Sequence, residues 1–184
     1  FNCDEYPYFD YSNPRQENNI RILNYIKKTC SDYYSKGIEN RFTGIQILSP
    51  QKKGILGTEN LNIQLSDIFN PRNIISEKNR ISRNNKIFAV GDKVVHLKNI
   101  ERTIWEDIWD WENNIAGSST TRRIFNGTLG IIEKIRNGNV YVRSILDEII
   151  EYSVMELDDI IDLAYALTIH KSQGSEFEIV IIPL

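Results

Sequence analysis

A polar segment near the end of the chain carries residue types that could contact phosphate. The segment His170-Lys-Ser-Gln-Gly-Ser-Glu176 supplies a cation, hydroxyl groups, an amide and a glycine that lets a ligand approach the backbone. Apolar runs precede and follow it, and the second, Ile179–Ile182, has the composition of a buried strand. Since α/β domains place their chemistry where parallel strands end, the pattern predicts a ligand-contacting loop at a sheet edge. Spacing alone also allows a solvated polar turn.

Nucleophilic catalysis by this segment is disfavoured. His170 and Ser172 are the residue types of a base and a nucleophile, but the sequence fixes no acid that would orient the histidine. The glycine-flanked serine turn that exposes a nucleophile in many hydrolases is also missing. We therefore expect binding rather than hydrolysis at this loop.

A second loop, Gln51–Thr58, is basic and contains glycine, and it connects a predicted strand at Gly44–Ser49 to a predicted helix. The N-terminus of a helix attracts anions, so phosphate binding is one interpretation and a solvated loop is the other. The loop lacks the Gly-Lys-Ser/Thr ending of a Walker A sequence, and no such sequence occurs elsewhere in the chain. A complete nucleotide site is therefore not expected from this chain alone.

The N-terminal part of the chain shows the alternation of helices and strands that is typical of an α/β domain. Asn13-Pro14 predicts the start of a helix that ends at Gly37, and Thr58 is predicted to cap a second helix that ends at Asn70-Pro71. With the strand between them, the order is helix, strand, loop, helix. We therefore expect a layered α/β fold with a parallel sheet.

The middle of the chain follows a different pattern. Short apolar runs separated by Asn-Gly turns predict short strands, at Lys93–Leu97, Leu129–Ile132 and Asn139–Val142. Several short strands with tight turns are typical of a small β-barrel. The predicted organisation has three segments: an α/β domain at 1–85, an inserted barrel at 86–155, and the α/β domain continued at 156–184.

Three tryptophans lie within Ile104–Trp111, which predicts a short amphipathic helix or an ordered excursion. Their rings could stack on bases. The acidic residues between them would repel phosphates, so packing or contact with a protein partner is the favoured interpretation. Elsewhere, Lys78–Lys86 is predicted to be a linker, and Glu148–Asp162 a solvated crossing between domains.

Composition limits the classes of function. The formal net charge is −3, so contact with nucleic acid would need a local basic patch rather than a global basic field. The two cysteines have no metal-binding spacing and are expected to be reduced thiols of a cytoplasmic protein. No apolar run approaches the ~18 residues of a membrane span. Because the sequence begins at Phe1 and stops just after a predicted strand, we expect it to be part of a longer protein.

The loop residues resemble the motifs of a known family. Ala166–Phe177 is similar to the fifth motif of superfamily 1 helicases, in the form seen in RecD-like and TraA-like enzymes, and Ile45–Asn62 resembles the fourth motif. Phe88–Val94 and Phe125–Gly130 resemble parts of the SH3-like subdomain inserted in that family. The resemblance covers nearly the whole chain in the right order. It implies the second RecA-like motor domain of an ATP-dependent 5′→3′ DNA helicase, interrupted by an SH3-like β-barrel.

The resemblance also implies roles for individual residues. It implies nucleotide contacts at Lys53, Gly174 and Glu176. It implies DNA contacts at Ser49, Thr168, His170, Lys171, Ser172 and Gln173. Lys53 stands where relatives usually have arginine, Thr128 replaces a usual aspartate, and the excursion at 100–123 is longer than the family pattern.

The implied cofactors and partners belong to the intact parent protein. ATP and Mg²⁺ would bind between two RecA-like domains, and the first domain would supply the Walker loop and the magnesium-binding acid. We expect neither to be bound by this chain, which has no complete catalytic site. The implied partners are single-stranded DNA and the first RecA-like domain, with no membrane, and the tryptophan segment adds the expectation of a protein partner at Trp105–Trp111. The alternative is a non-enzymatic module that binds protein or nucleic acid through the β-barrel.

Overall fold

The computed structural model describes residues 14–35, 42–84, 86–106, 118–173 and 175–183. Its helices are α1 (Pro14–Ser35), α2 (Thr58–Phe69) and α3 (Leu157–Ile160). Its strands are β1 (Ile45–Ser49), β2 (Arg80–Arg83), β3 (Lys86–Ala89), β4 (Lys93–His96), β5 (Ile100–Glu106), β6 (Ser118–Ile124), β7 (Leu129–Arg136), β8 (Asn139–Ser144), β9 (Ile149–Ser153), β10 (Ile161–Leu163), β11 (Ala166–Thr168) and β12 (Ile179–Ile181). Among these described elements, none of the helices has the length and apolar character to cross a membrane.

A three-stranded parallel sheet carries the segments that precede the two candidate loops. Strand β1 lies in its centre, between β11 on one side and β12 on the other. The register pairs Ser49 with Thr168 at the ends of β1 and β11, and it pairs Ile45 with Ile179 on the other side. Parallel strands need a long crossover connection, and here everything between β1 and β11 serves as that connection. The predicted α/β class with a parallel sheet is therefore confirmed.

Helix α1 packs against α2 through the apolar stripe that the sequence predicts. The buried residues of the stripe are Leu23, Ile26, Cys30 and Tyr33. Pro14 begins the helix as expected, while the predicted cap at Asn13 and the predicted stop at Gly37 lie outside the described residues. Burial raises the pKa of the Cys30 thiol to about 12, so this thiol is unreactive at neutral pH.

Helix α2 starts one residue earlier than a Thr58 cap would imply. Thr58 is the first helical residue, and Gly57 occupies the cap position without a side chain to accept a hydrogen bond. The predicted end is confirmed, because Asn70 follows the last turn and its N–H donates to Ser66 O at 2.8 Å. The helix covers the parallel sheet, and Asn62 bonds both the N–H (2.8 Å) and the C=O (3.0 Å) of Ala166 in β11.

A seven-stranded antiparallel sheet fills the middle of the chain, in the order β10-β4-β7-β8-β9-β5-β6. The predicted strands near residues 93, 129 and 139 are all present, and β7 and β8 are longer than predicted. Asn137 and Gly138 both have positive φ (51° and 78°), as an Asn-Gly hairpin turn requires. Ile132, Val140 and Ile150 lie in its buried interior. The antiparallel sheet is thus established, and its closure into an SH3-like barrel stays a prediction.

The two sheets are joined by a very short connection. Strand β10 pairs with β4 in the antiparallel sheet, whereas β11 pairs with β1 in the parallel sheet. Only Ala164 and Tyr165 separate β10 from β11, and both are buried. A displacement of one sheet is therefore expected to be transmitted directly to the other through this link.

Two of the sequence predictions for the middle segments are wrong. The predicted linker at Lys78–Lys86 contains most of a β2–β3 hairpin, in which Ile81 pairs with the fully buried Phe88. For the segment Ile104–Trp111 the sequence allows a short amphipathic helix or an ordered excursion, and its described residues Ile104–Glu106 belong to strand β5, which pairs with β6 and β9. Residues 107–117, including Trp109 and Trp111, lie outside the described residues.

The second wrong prediction is the solvated crossing at Glu148–Asp162. This segment contains β9, α3 and most of β10, and six of its apolar side chains are buried: Ile149, Ile150, Tyr152, Leu157, Ile160 and Ile161. Acidic residues lie between these apolar ones in the sequence, and their charges led to the expectation of a solvated segment. The predicted buried strand at the C-terminal end is a sheet edge, with Ile179 and Val180 exposed by 40% and 45%.

The carboxylate of Asp92 ties these layers together. It is fully buried, and Oδ1 accepts hydrogen bonds from Asn70 Nδ2 (2.8 Å), Arg72 NH1 (2.7 Å) and the Tyr165 hydroxyl (2.9 Å). Oδ2 accepts from the backbone N–H of Ala89 at 2.8 Å. The donors come from the end of α2, the turn after it, the β10–β11 link and the end of β3. One buried charge therefore fixes four segments.

Replacement of this carboxylate tests its structural role. Asp92→Asn removes the charge, leaves Arg72 without its anion and places an amide donor among four donors. We expect the free energy of unfolding, measured by urea denaturation, to fall by about 3 kcal/mol. Glu77→Gln is the matched control, because Glu77 is 92% exposed in its ion pair with Arg80; it is expected to change stability by less than about 0.5 kcal/mol. Equal effects of the two changes would contradict the role assigned to Asp92.

Candidate functional site

The two candidate loops leave the parallel sheet at the same edge. Because β1 and β11 are parallel neighbours and Ser49 pairs with Thr168, the segments that follow these two residues begin side by side. Carboxyl ends of adjacent parallel strands are where α/β domains bind ligands. We call the loop after β1 the 50–57 loop and the loop after β11 the 169–175 loop.

The 50–57 loop is closed on itself and on the start of α2. Ser49 Oγ is fully buried and lies 2.7 Å from Leu56 O and 3.0 Å from Gln51 O, so it braces the loop from below. The first backbone N–H groups of α2 are already used, since Thr58 N donates to Gln51 O (3.1 Å) and Glu59 N donates to Lys52 O (3.0 Å). The N-terminus predicted to attract anions is thus partly blocked by the loop's own carbonyls.

Close packing explains a glycine inside this loop. A Cβ on Gly57 would lie 2.5 Å from Lys52 O and from the carbonyl group of Lys53, so no side chain fits there. Lys52 and Lys53 are themselves exposed. An anion approaching this loop would therefore meet flexible lysine side chains rather than a cradle of backbone amides.

The 169–175 loop starts as a short 3-10 turn, Ile169–Ser172. Ser172 Oγ donates to Ile169 O at 2.8 Å, and Ser175 N donates to Ser172 O at 3.0 Å, so local hydrogen bonds hold its shape. His170 and Gln173 are exposed on it. The loop thus exposes polar side chains to solvent, and local hydrogen bonds hold its backbone in place.

Beside this loop, the charge of Lys171 interacts with two other lysines and with one carboxylate. Lys86 Nζ donates to Asp162 Oδ1 at 2.7 Å, which links β3 to β10. Partial burial lowers the pKa of Lys171, the carboxylate of Asp162 opposes this effect, and the charges of Lys52 and Lys86 lower the pKa further. The charge of Lys171 is therefore repelled by both other lysines, and the three positive charges of this basic patch exceed the single negative charge of Asp162.

A buried lysine that sequence reasoning missed lies under the site. Lys93 is 4% exposed and its Nζ donates to Gln46 Oε1 at 2.8 Å. Gln46 in turn donates from Nε2 to the carbonyls of Ala164 and Tyr165 at 3.2 and 3.0 Å. The Lys93 ammonium also lies 5.3 Å from the centre of the Phe177 ring, just beyond the 169–175 loop. The available signal was a lysine at the start of an otherwise apolar strand.

The structure brings most of the predicted site residues together. Thr168, which ends β11, is half-buried, and the predicted DNA contacts that follow it lie in the 169–175 loop: His170, Lys171, Ser172 and Gln173. Lys53 lies on the neighbouring loop, and Glu176 is exposed just past the second loop. Gly174 lies outside the described residues. Ser49 is the exception, because its buried hydroxyl could reach DNA only if the 50–57 loop opened.

Trp105 is the described member of the tryptophan segment. It is half-buried in β5, and its indole Nε1 donates to Glu151 Oε2 at 3.0 Å across the sheet. This geometry accounts for Trp105 by packing within the antiparallel sheet. The predicted partner contact at Trp105–Trp111 rests mainly on residues outside the described ranges and stays a prediction.

The fold and these loops define an α/β domain with two basic loops at one edge of a parallel sheet. Residues 163–184 match the family described as the UvrD-like helicase C-terminal domain. The chain is 34% identical over 133 residues to the ATP-dependent RecD2 DNA helicase of Deinococcus radiodurans, a match covering 72% of this chain and 15% of that protein. It is 29% identical over 143 residues to the RecBCD enzyme subunit RecD of Buchnera aphidicola, covering 77% of this chain and 20% of that protein.

The sequence similarity identifies the family. The chain belongs to the RecD-like group of superfamily 1 helicases, as its motifs predict. It spans only 15% and 20% of the lengths of these two relatives. Among solved structures, Bacteroides Pif1 bound to single-stranded DNA is similar at 18% identity and a TM-score of 0.43, over 89% of this chain and 42% of that one.

The buried lysine predicts a specific pH dependence of stability. Burial lowers the pKa of Lys93 to about 7 in the folded chain, whereas an unfolded lysine titrates near ~10.4. Below pH 7 both states are protonated and the cost of burying the charge is constant. Between these two pKa values the unfolded chain binds more protons, so the stability contribution of Lys93 rises with pH.

The measurement compares wild type with Lys93→Met in urea at pH 7 and pH 9. We expect the difference in unfolding free energy to move in favour of wild type by about 2 kcal/mol over this interval. Lys98→Met removes an exposed lysine just after the same strand and is expected to show no such change. A difference between wild type and Lys93→Met that is independent of pH would contradict the assignment.

Proposed function

We propose that this chain is part of the second motor domain of an ATP-dependent DNA helicase that moves 5′→3′ on single-stranded DNA. In this proposal the parallel sheet belongs to a RecA-like domain, and the antiparallel sheet is its SH3-like insertion. The supporting observation is the pairing of Ser49 with Thr168, which sets the 50–57 and 169–175 loops at one sheet edge. One relative is named an ATP-dependent DNA helicase, which supports the same activity for the parent protein.

The nucleotide side of the proposed site is incomplete in this chain. Lys53, exposed on the 50–57 loop, would approach the terminal phosphates, and Gly174 and Glu176 would lie near the nucleotide. The backbone amides of Thr58 and Glu59 at the start of α2 are used internally, so these two amides cannot bind a phosphate. Among the described residues, no cluster of acidic or other ligating side chains could hold a metal ion. The chain therefore fits one that contributes to an ATP site completed by another domain, which would also hold Mg²⁺.

The DNA side of the proposed site is the 169–175 loop with the basic patch beside it. His170 and Gln173 are exposed, and Lys171 lies near Lys52 and Lys86. Lysines at such a patch attract the phosphate backbone regardless of base sequence, and this attraction falls as salt rises. The proposed grip on DNA therefore requires only a local concentration of positive charge.

Coupling between ATP and DNA would follow from the shared edge. The 50–57 loop and the 169–175 loop start at adjacent strand ends, so a movement of Lys53 toward a phosphate would shift the loop that holds DNA. The 169–175 loop leads directly into Glu176 and Phe177, and the Phe177 ring lies against Lys93. Discrete movements of such packed elements are the usual basis of nucleotide-driven switching.

The first functional prediction concerns the parent protein that contains this chain. With ATP and Mg²⁺ it is expected to unwind a duplex with a 5′ single-stranded tail and not one with a 3′ tail. Lys53→Ala is expected to lower DNA-stimulated ATP turnover by roughly tenfold or more, because a charge that stabilises the transferred phosphate is lost. Lys98→Ala, which also removes an exposed lysine, should leave turnover unchanged.

This chain alone is expected to hydrolyse no ATP with or without DNA, since half of the proposed site is absent from it. ATP hydrolysis by the purified chain, or unwinding of neither tailed duplex by the parent protein, would contradict the proposed function.

The second functional prediction concerns coupling in the parent protein. His170→Ala and Glu176→Ala are both expected to lower the number of base pairs unwound per ATP hydrolysed, because the loop between them would contact both ligands. Both side chains are exposed, so neither change should destabilise the fold. Glu77→Ala, at an exposed acid distant in sequence, serves as the control. If both variants unwind with wild-type yield per ATP, the 169–175 loop has no part in coupling.

A further inference from the structure

The 169–175 loop is attached to the fold at both of its ends. It begins after Thr168, the last residue of β11. Beyond the loop, Glu178 N donates to Thr43 O at 2.8 Å, which returns the backbone to the start of β1 in the parallel sheet. Phe177 lies between the loop and this hydrogen bond, so its side chain is placed to hold the C-terminal end of the loop.

The side chain of Phe177 is half-buried and packs against a small core that both sheets share. The buried members of this core are Val95 and Leu129 of the antiparallel sheet, Ala164 of the β10–β11 link and Leu167 of β11. The residue that follows the exposed part of the loop is therefore anchored in an apolar group to which the antiparallel sheet contributes.

Lys93 adds a contact that requires an aromatic ring at position 177. Its ammonium is buried, has three N–H donors, and lies 5.3 Å from the centre of the Phe177 ring. Among the described residues, the hydrogen-bond acceptor for this ammonium is Gln46 Oε1 at 2.8 Å. An ammonium that has lost its water is attracted by the electron-rich face of a ring within about 6 Å. An aliphatic side chain at position 177 would fill the space without this attraction.

We propose that Lys93 and Phe177 are positioning residues, and that the antiparallel sheet uses their contact to hold the C-terminal end of the 169–175 loop. Lys93 lies in β4 and bonds Gln46 in β1, so a loop held by Lys93 moves together with both sheets. The consequence for helicase action rests on the proposed function, which gives the ligand contacts to the loop. A loop released from Lys93 would still expose its polar side chains, but it would transmit less movement between ATP and DNA.

The first experiment measures amide hydrogen exchange of residues 169–175 in this chain by mass spectrometry. It is made at about pH 6, below the pKa of about 7 that burial gives Lys93, so the ammonium is present. Lys93→Met and Phe177→Leu are each expected to speed exchange of the loop by roughly two- to thirtyfold, the range that corresponds to loss of one cation–ring contact. Phe177→Tyr keeps the ring and should keep the slow exchange. Lys98→Met, at an exposed lysine after the same strand, is the control.

The double variant tests whether the two residues act through one contact. Lys93→Met combined with Phe177→Leu is expected to exchange as fast as either single variant, because both changes remove the same interaction. Effects that multiply in the double variant would overturn the proposed contact, as would wild-type exchange in both single variants. Exchange in α1 is the internal reference, since faster exchange there as well would show a general loss of stability and would overturn the local role.

The second experiment measures base pairs unwound per ATP hydrolysed by the parent protein. Lys93→Met and Phe177→Leu are expected to lower this yield, and Phe177→Tyr is expected to restore it. If His170→Ala and Glu176→Ala lower the yield but the changes at Lys93 and Phe177 do not, the positioning role is overturned and the proposed function stands. If none of these changes lowers the yield, the role of the loop in coupling fails together with this inference.

Discussion

A single buried carboxylate determines how the two sheets of this chain meet. Asp92 has no exposed surface, so its charge is tolerated only because Arg72 and three other donors surround it. A buried charge that loses one partner is strongly destabilising, which makes the arrangement of all its partners obligatory. Burial and the Asp92 carboxylate also raise the pKa of Tyr165 well above its ordinary value, so the Tyr165 hydroxyl stays protonated and donates to Asp92. The end of α2, the insertion and the β10–β11 link are therefore fixed relative to one another.

Lys93, the residue after Asp92, connects the antiparallel sheet to the parallel sheet that carries the 50–57 and 169–175 loops. Successive side chains of a strand point to opposite sides, so Asp92 and Lys93 reach different neighbours from one point at the start of β4. Asp92 holds the α2 side, while Lys93 bonds Gln46 in β1 and packs on Phe177 beyond the 169–175 loop. Gln46 also donates to the two carbonyls of the β10–β11 link. The hydroxyl of Tyr165 in this link bonds Asp92, so the hydrogen bonds of Asp92 and Lys93 meet at the same segment. Asp92 and Lys93, at the start of β4, thus support both the parallel sheet and the segment that follows the 169–175 loop.

The parts of this structure that the sequence predicts are those encoded by local pattern. The 169–175 loop between apolar runs, the helix ending at Asn70 and the Asn137-Gly138 turn all follow from residues near one another. The parts it does not predict depend on distant pairing. The β2–β3 hairpin looks like a basic linker until Ile81 meets Phe88, and the acidic residues after Glu148 conceal a core segment. Likewise, only the folded loop reveals that the amides of Thr58 and Glu59 are already bonded and that Ser49 is buried.

An acidic chain can still hold a polyanion if its positive charges are local and its negative charges are distant or neutralised. Exposed charges separated by more than ~10 Å are largely screened at physiological salt, so the net charge of −3 says little about any one edge. At the 169–175 loop, Asp162 is the acid close to Lys171, and Lys86 already pairs with it at 2.7 Å. Lys52 and Lys171 then remain as excess charge, and Asp162 holds Lys86 near the loop. The ion pair therefore reduces the repulsion that would otherwise drive these lysines apart before a phosphate arrives.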